Sequence, residues 1–154
     1  MALQDQNKET SVMNAITEVI QTGHLCVLST LSGDRPYSSL MRYLADDRCT
    51  AIYLVMHKNT TKYQNLLQNS LVSLLIDTRT SAPLADIQAL SIDGIAFPVA
   101  DAARQASVRE AFIARHPDMA EFVRQPDALM ICVEIQGFLL LNGIQDAHRV
   151  RVKS

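Results

Sequence analysis

Residues 51–77, AIYLVMHKNTTKYQNLLQNSLVSLLID, decide the fold because they place a short helix between two apolar segments. The first segment, residues 51–56, is apolar throughout, which is typical of a strand buried on both faces. The second segment, residues 71–77, is of similar length and predicts another buried strand. The polar residues between the two segments predict a loop followed by a helix over 62–68.

The start of this helix carries residues that suit an anionic ligand. Thr60 and Thr61 have hydroxyls that can cap the helix. Lys62 stands beside the backbone N–H groups of the first turn, and His57 lies just upstream. Amides, hydroxyls and cationic groups at a helix start form a natural phosphate site. The alternative is a capped surface helix with a solvated lysine, which on these residues alone is the commoner case.

Composition bounds the class of protein. The chain has 154 residues, of which 48% are apolar and 19% charged, as expected for one globular domain over residues 1–154. The net charge of −2 and the lack of a dense Lys/Arg patch predict neither a nucleic-acid partner nor an anionic membrane surface. The locally basic residues 149–153 are typical of a solvated tail. Scattered cysteines, no apolar signal core and no stretch of membrane-spanning length predict a cytoplasmic protein.

The rest of the chain is predicted to be mainly β, with three further helices. Short apolar runs between turn-forming residues predict the strands, and apolar residues at helical spacing predict the helices. Gly94, inside the fifth strand, indicates a β-bulge. The predicted elements, in chain order, are a helix over 11–22 capped by Ser11, strands 24–31, 37–44 and 51–56, helix 62–68, strand 71–77, a loop over 79–85, strand 88–99, helix 102–115 with Val108, Ala111 and Phe112 on its apolar face, a short helix around 119–123, and strands 129–135 and 138–144 joined by a turn at Gln136 and Gly137.

These elements predict an α+β fold that is mainly β. The first three strands are joined by short turns, which predicts an antiparallel meander. Six or seven antiparallel strands that are apolar on both faces predict a closed or partly closed β-barrel with flanking helices. Burial on both faces also suggests that one face packs on a partner subunit.

No catalytic motif stands out. The histidines are not spaced as zinc ligands, and no hydrolase, P-loop or dinucleotide-binding motif occurs, so we expect no metal site. Any chemistry is therefore expected to come from a cofactor. Besides the helix start, the strand over 37–44 suits such a group because it carries Arg42. Arg42 needs an anionic partner if it is buried; alternatively it is exposed or pairs with Asp46 or Asp77.

Three segments together resemble one family. They are LCVLSTLSGDRPYSSLMRYL over 25–44, IYLVM over 52–56 and TTKYQNLLQNSLVSLLID over 60–77. In this order they resemble the pyridoxamine 5′-phosphate oxidase-like, FMN-binding split-barrel proteins. The family shows a strand ending in Ser-Thr, a turn with Gly and Pro, and a Lys-x-x-Asn-Leu-x-x-Asn helix before a strand. The last element is matched by Lys62, Asn65, Leu66, Asn69, Val72, Ser73 and Leu74, with Ser70 where the family often has Pro.

The resemblance implies a split β-barrel and an obligate homodimer with two FMN sites at the subunit interface. In the family, the loop and helix start after the third strand hold the phosphate, and the second and third strands line the ribityl chain and flavin ring. The partner subunit completes the site, for which Gln88 and Asn142 are the residues suggested here. The phosphate role carries over to His57, Thr60, Thr61 and Lys62, and the flavin-lining role to Ser39, Leu40, Met41, Arg42, Val55 and Met56.

Two departures from the family pattern bear on activity. Pyridoxamine phosphate oxidases carry a C-terminal extension with an aromatic residue and arginines, whereas this sequence has no Trp and no such segment is expected. Their third strand commonly ends in Thr, where Met56 stands here. The expected function is therefore FMN-dependent oxidoreduction of an unknown small molecule, with no catalytic residue named. The alternatives are a flavin-binding or storage module without turnover, and a haem-binding member of the fold with His24, His57 or His148 on the iron.

Overall fold

The computed structural model describes residues 2–78, 83 and 86–152, without the side chains of residues 2–6. The loop predicted for 79–85 therefore lies, apart from Pro83, outside the described residues. The elements, in chain order, are α1 (Ala2–Thr22), β1 (Leu25–Ser32), β2 (Arg35–Arg42), β3 (Leu44–Ala45), β4 (Ala51–His57), α2 (Thr61–Gln68), β5 (Leu71–Asp77), β6 (Gln88–Pro98), α3 (Ala102–Arg115), a 3-10 turn (Pro117–Met119), α4 (Ala120–Val123), β7 (Ala128–Asn142) and β8 (Asp146–Arg151).

The strands of the described chain form one antiparallel sheet that curls on itself. Their order is β2-β1-β5-β6-β7-β4-β3, with β8 beside β7. The two ends of that order, β2 and β3, are separated in the chain by Tyr43 alone. The sheet therefore bends until its ends meet. β2 and β4 contact each other there without pairing, so the barrel is split between them. The predicted mainly β, antiparallel split barrel with flanking helices is confirmed.

The predicted three-stranded meander, in contrast, is wrong. β1 and β2 form the expected hairpin, but β4 pairs with β3 and β7 rather than with β2. Short turns favour pairing of consecutive strands. β4, however, lies beside β7, a strand from the far end of the chain, where Ala128 pairs with His57. Local turn signals do not contain this long-range pairing.

One long strand, β7, replaces the two strands predicted over 129–135 and 138–144. Gln136 and Gly137 do not form a turn, because the ladder with β6 continues past them and only shifts register beside Gly94. That shift is the predicted bulge. Gly137 instead permits a close approach of β8: a Cβ there would lie 3.2 Å from the carbonyl oxygen of Val150. β8 contains Arg149 to Arg151 of the basic segment that was expected to be a solvated tail.

Two hydrophobic clusters lie on opposite faces of β4. Inside the barrel, α1 packs its apolar stripe of Ile16, Val19 and Ile20 against inward-facing strand residues. Outside the barrel, α3 and α4 cover β4 and the first half of β7. The burial of β4 on both faces is thus achieved within one chain. It is not, by itself, evidence for the partner subunit that the sequence suggested.

Two helix predictions need correction. α1 begins at Ala2 rather than after Ser11, because the apolar stripe marks only the half of the helix that packs on the barrel. The polar segment before it has no such stripe but contains good helix formers, among them Gln4, Lys8 and Glu9. On α3 the bounds are as predicted, but Ala111 is exposed while Val108 and Phe112 are buried.

Candidate functional site

The start of α2 follows β4 after a three-residue loop. Thr60 occupies the N-cap position with extended backbone angles, φ −91° and ψ 147°. Its hydroxyl donates to the carbonyl oxygen of His57 at 2.8 Å and makes no capping hydrogen bond to the helix. The predicted cap by Thr60 is therefore wrong. The first turn, with exposed Thr61 and half-buried Lys62, keeps amides open to an anion.

Asn65 fixes α2 to the barrel. Its side-chain amide donates to Thr30 Oγ1 of β1 at 3.0 Å, and the two side chains are 4% and 2% exposed. The Thr30 hydroxyl donates in turn to the carbonyl oxygen of Tyr37 on β2, at 3.5 Å. Leu66, the next residue, is buried in the barrel core. The Asn-Leu pair of the sequence motif is thus an anchor, which holds Lys62 in place one turn earlier.

Two side-chain contacts hold the His57 ring. Its Nδ1 lies 3.2 Å from Asp127 Oδ2, which makes Nδ1 the protonated, donating nitrogen. Its ring stacks on Phe122 of α4 at a centroid distance of 4.2 Å and an interplanar angle of 6°. Among the described side chains, His57 Nε2 is the buried polar atom that has no hydrogen-bond partner. His57 therefore faces the α4 side of β4, and the sequence did not nominate Asp127 or Phe122 as its neighbours.

The predicted flavin-lining residues flank the split between β2 and β4, with different accessibilities. Met41 and Met56 are buried in the barrel core, and Val55 is buried in the outer cluster, so these three offer only backbone atoms. Leu40, in contrast, is 69% exposed on β2. Arg42 ends β2. Ser39 precedes Leu40 on the same strand and is partly buried.

Arg42 has an acidic partner that the sequence did not suggest. Its Nη2 donates to Asp118 Oδ2 at 3.1 Å, and the two side chains are 34% and 61% exposed. Asp118 belongs to the 3-10 turn that precedes α4. A half-exposed pair of this kind contributes little stability. It places a guanidinium group beside the split.

Gln88 and Asn142 contact each other at the other end of the sheet from α2. Gln88 Nε2 donates to Asn142 Oδ1 at 2.8 Å, and the two residues are opposite one another in the β6–β7 ladder. Asn142 is the last residue of β7, whereas Ala128, at the first residue, pairs with His57. One chain therefore keeps these two residues apart from Lys62.

The remaining histidines have partners or lie at the surface. His148 Nε2 is 3.0 Å from Asp146 Oδ2, and this hydrogen bond lowers the pKa of Asp146. His116 is buried, its Nε2 is 2.7 Å from the carbonyl oxygen of Tyr43, and burial lowers its pKa. The exposed His24 ring contacts the His116 ring edge-on at 5.9 Å. No group of three or more potential metal ligands occurs among the described residues.

Comparisons with known proteins identify the fold. The sequence profile of the pyridoxamine 5′-phosphate oxidase family matches residues 12–141. A putative pyridoxamine 5′-phosphate oxidase from Listeria innocua is 21% identical, with a TM-score of 0.70 over 86% of this chain and 99% of its own. The haem storage protein HutZ from Vibrio cholerae is 20% identical, with a TM-score of 0.70 over 81% of this chain and 91% of its own.

A third similar structure is a haem-binding protein from Mycobacterium smegmatis, 17% identical, with a TM-score of 0.77 over 88% of this chain. This chain spans little more than half of that protein, 56%. Identities this low show a shared fold and no more. No sequence among the curated proteins matches the chain. Across the part of the chain that the structure describes, none of the helices has the length and apolarity to span a membrane.

Proposed function

The chain belongs to the pyridoxamine 5′-phosphate oxidase family, and from that membership we propose that it binds FMN and acts as a flavin-dependent oxidoreductase on a small molecule. The observation that carries the proposal is the open start of α2. Thr60 turns its hydroxyl away from the helix, so that first-turn amides and Lys62 are left for a phosphate. FMN, when bound, supplies the hydride or electron transfer.

Different residues of the site are proposed to bind different parts of FMN. Lys62 and the first-turn amides hold the phosphate through charge-assisted hydrogen bonds. Exposed Leu40 offers an apolar surface to the flavin, and Arg42 offers a guanidinium group beside the split. The strand that carries Val55 and Met56, β4, contacts β2 across the split. No side chain in this arrangement is a convincing proton donor, so we assign no catalytic residue.

The proposed assembly is a homodimer with FMN sites at the interface. An apolar patch on the outside of the barrel supports it: Val27 pairs with both Leu40 and Leu75, which are 69% and 38% exposed. Exposed apolar patches of this kind mark interfaces. A second copy is the proposed occupant, because one chain keeps Gln88 and Asn142 away from α2 and a partner can supply them. The patch, called the leucine face below, consists of Leu25, Val27, Leu40, Leu75, Leu139 and Leu141.

The absorption spectrum of the purified protein tests the cofactor directly. A flavin spectrum, or uptake of added FMN, is expected; absence of both contradicts the proposal. Replacing Lys62 by Ala removes one charge-assisted contact, so the Kd for FMN should rise about tenfold, which corresponds to about 1.4 kcal/mol. Affinity for riboflavin, which has no phosphate, should stay unchanged. Lys8→Ala on α1 is the matched control, and an unchanged FMN affinity in Lys62→Ala would remove the phosphate role.

The dimer is tested by sedimentation or light scattering. Leu40→Glu puts a charge into the leucine face, so it should yield monomers with reduced FMN retention. Leu67→Glu is the matched control, because Leu67 is 58% exposed but lies on α2. A monomeric wild-type protein, or a Leu40→Glu dimer of unchanged affinity, would contradict the proposed interface.

A second candidate function is haem binding, and one contact favours it. Metal-bound histidines commonly donate their second ring nitrogen to a carboxylate, as His57 does to Asp127, and His57 Nε2 has no partner. A Soret band that His57→Ala abolishes would select haem over flavin. A flavin spectrum that NADH, NADPH and small oxidants leave unchanged would instead indicate a storage module without turnover.

A further inference from the structure

The loop between α4 and β7 contacts the end of β4 and the start of the following loop, and both contacts are made by Asp127. The carboxylate accepts from His57 Nδ1 at 3.2 Å. The Asp127 carbonyl oxygen accepts from the Lys58 backbone amide at 3.3 Å. The last residue of β4 and the first residue of the loop after it are therefore tied to one residue that is distant in sequence.

The His57 carbonyl oxygen connects these contacts to the start of α2 through hydrogen bonds. It accepts from both the backbone amide of Thr60, at 3.2 Å, and the Thr60 hydroxyl, at 2.8 Å. The Thr60 carbonyl oxygen then accepts from the Gln64 amide as the first bond of the helix. The Thr60 hydroxyl is turned towards the His57 carbonyl oxygen and makes no capping hydrogen bond to the first turn. The position of the His57 carbonyl oxygen therefore sets the direction of the Thr60 hydroxyl, and the amides of the first turn stay open.

Packing alone would favour an apolar aromatic side chain, rather than histidine, at position 57. Its ring lies flat on Phe122, a contact that an aromatic hydrocarbon would make equally well. Its Nε2 is buried without a partner, which costs free energy that an apolar ring would avoid. The distinguishing property of histidine here is therefore Nδ1, which reaches Asp127.

We propose that Asp127 is a positioning residue for the phosphate site: through His57 it fixes the loop that keeps the first turn of α2 uncapped and directed at the ligand. This inference rests on the proposed FMN site. Asp127 acts through His57 and Thr60, without itself touching the phosphate. A carboxylate is suited to this task because it accepts from a ring nitrogen while its own backbone holds Lys58.

Discrimination between FMN and riboflavin tests the proposal. In Asp127→Ala the Kd for FMN should rise about tenfold, while the Kd for riboflavin, which does not use the phosphate site, should stay within about twofold. Asp127→Asn should recover most of the discrimination, because its amide oxygen still accepts from Nδ1. His57→Phe keeps the stacking and removes the unpartnered nitrogen, so it should lose discrimination without losing thermal stability. An equal loss of affinity for both flavins, or no loss, would overturn the proposal.

Hydrogen exchange of the protein without cofactor separates this inference from the proposed function. In Asp127→Ala the hydrogen-bonded amides of Lys58, Thr60 and Gln64 should exchange faster than in wild type, while those of α3 stay protected. Asp146→Ala is the matched control, because it breaks another Asp–His pair at a distance from α2. Unchanged exchange at these three amides refutes the positioning role whether or not FMN binds. If wild type binds neither flavin but exchange rises as expected, the FMN proposal fails and the positioning of α2 by Asp127 stands.

Discussion

Replacing Asn65 by Ala should separate α2 from the barrel wall. The buried hydrogen bond from Asn65 to Thr30 joins the helix to β1, and no water reaches either side chain easily at 4% and 2% exposure. Removing it costs about 1 kcal/mol of net hydrogen-bond stability, and leaving the buried Thr30 oxygen without a donor costs about as much again. The free energy of unfolding should therefore fall by about 2 kcal/mol.

For a chain of this length, a loss of this size lowers Tm by about 4–8 °C. Urea unfolding followed by circular dichroism measures the change, and a double-mutant cycle with Thr30→Val isolates the pair. Each single variant leaves one member of the Asn65–Thr30 hydrogen bond without the other, whereas the double variant removes both members, so the coupling energy should be about 1 kcal/mol or more. Because Lys62 is on the same short helix, FMN affinity should fall in Asn65→Ala as well.

The control for this cycle is Gln68→Ala, an exposed position on the same helix, which should change stability by less than about 0.5 kcal/mol. Additive effects of Asn65→Ala and Thr30→Val would show that the hydrogen bond contributes nothing. The view of Asn65 as the anchor of α2 would then have to be given up.

Three further predictions follow from burial and close packing. Gly94→Ala should destabilise the protein by at least about 2 kcal/mol in urea titrations, because the added Cβ would lie 2.5 Å from a Val133 methyl carbon and 2.8 Å from the Glu134 carbonyl oxygen. Burial holds the pKa of His116 below its usual 6.5, so the unfolded chain binds more protons below that pH. The stability that His116 contributes is present above about pH 6.5 and declines as the pH falls towards the lowered pKa; His116→Gln should flatten the decline, and a pH-independent unfolding midpoint would contradict this. Burial raises the pKa of Cys26 to about 12, and all three cysteines are buried, so a thiol reagent should label them at neutral pH only after unfolding.

The order of the elements can be predicted from the sequence because helices and strands follow local periodicity. The bounds of α3 and β5 are as predicted, and those of β1, β4 and α2 differ by a residue or so. The bulge at Gly94 is also local, since glycine inside a strand marks close backbone contact. Such features depend on a few neighbouring residues, which the sequence displays directly.

Strand partners cannot be predicted from local patterns in this way, because pairing joins residues that are far apart in the chain. The sequence favours β4 beside β2, yet β4 lies beside β7. In the sequence, Gly137 predicts a turn. In the structure it lies inside β7, where a glycine is needed because the backbone of β8 passes close to it. In both cases the decisive neighbour belongs to a segment that no local pattern identifies.

Some features of the candidate site can likewise be predicted from local sequence, and others cannot. The sequence by itself determines the family, the helix that starts after β4, and the positions of Lys62 and Asn65 on it, since all of these are spacings within one segment. Only the tertiary structure decides that Thr60 leaves the helix uncapped, that Asp127 and Phe122 hold His57, and that Gln88 and Asn142 lie at the far end of β7. The physical reason is that hydrogen bonds and ring contacts depend on distances in space, which the curled sheet sets by bringing remote segments together.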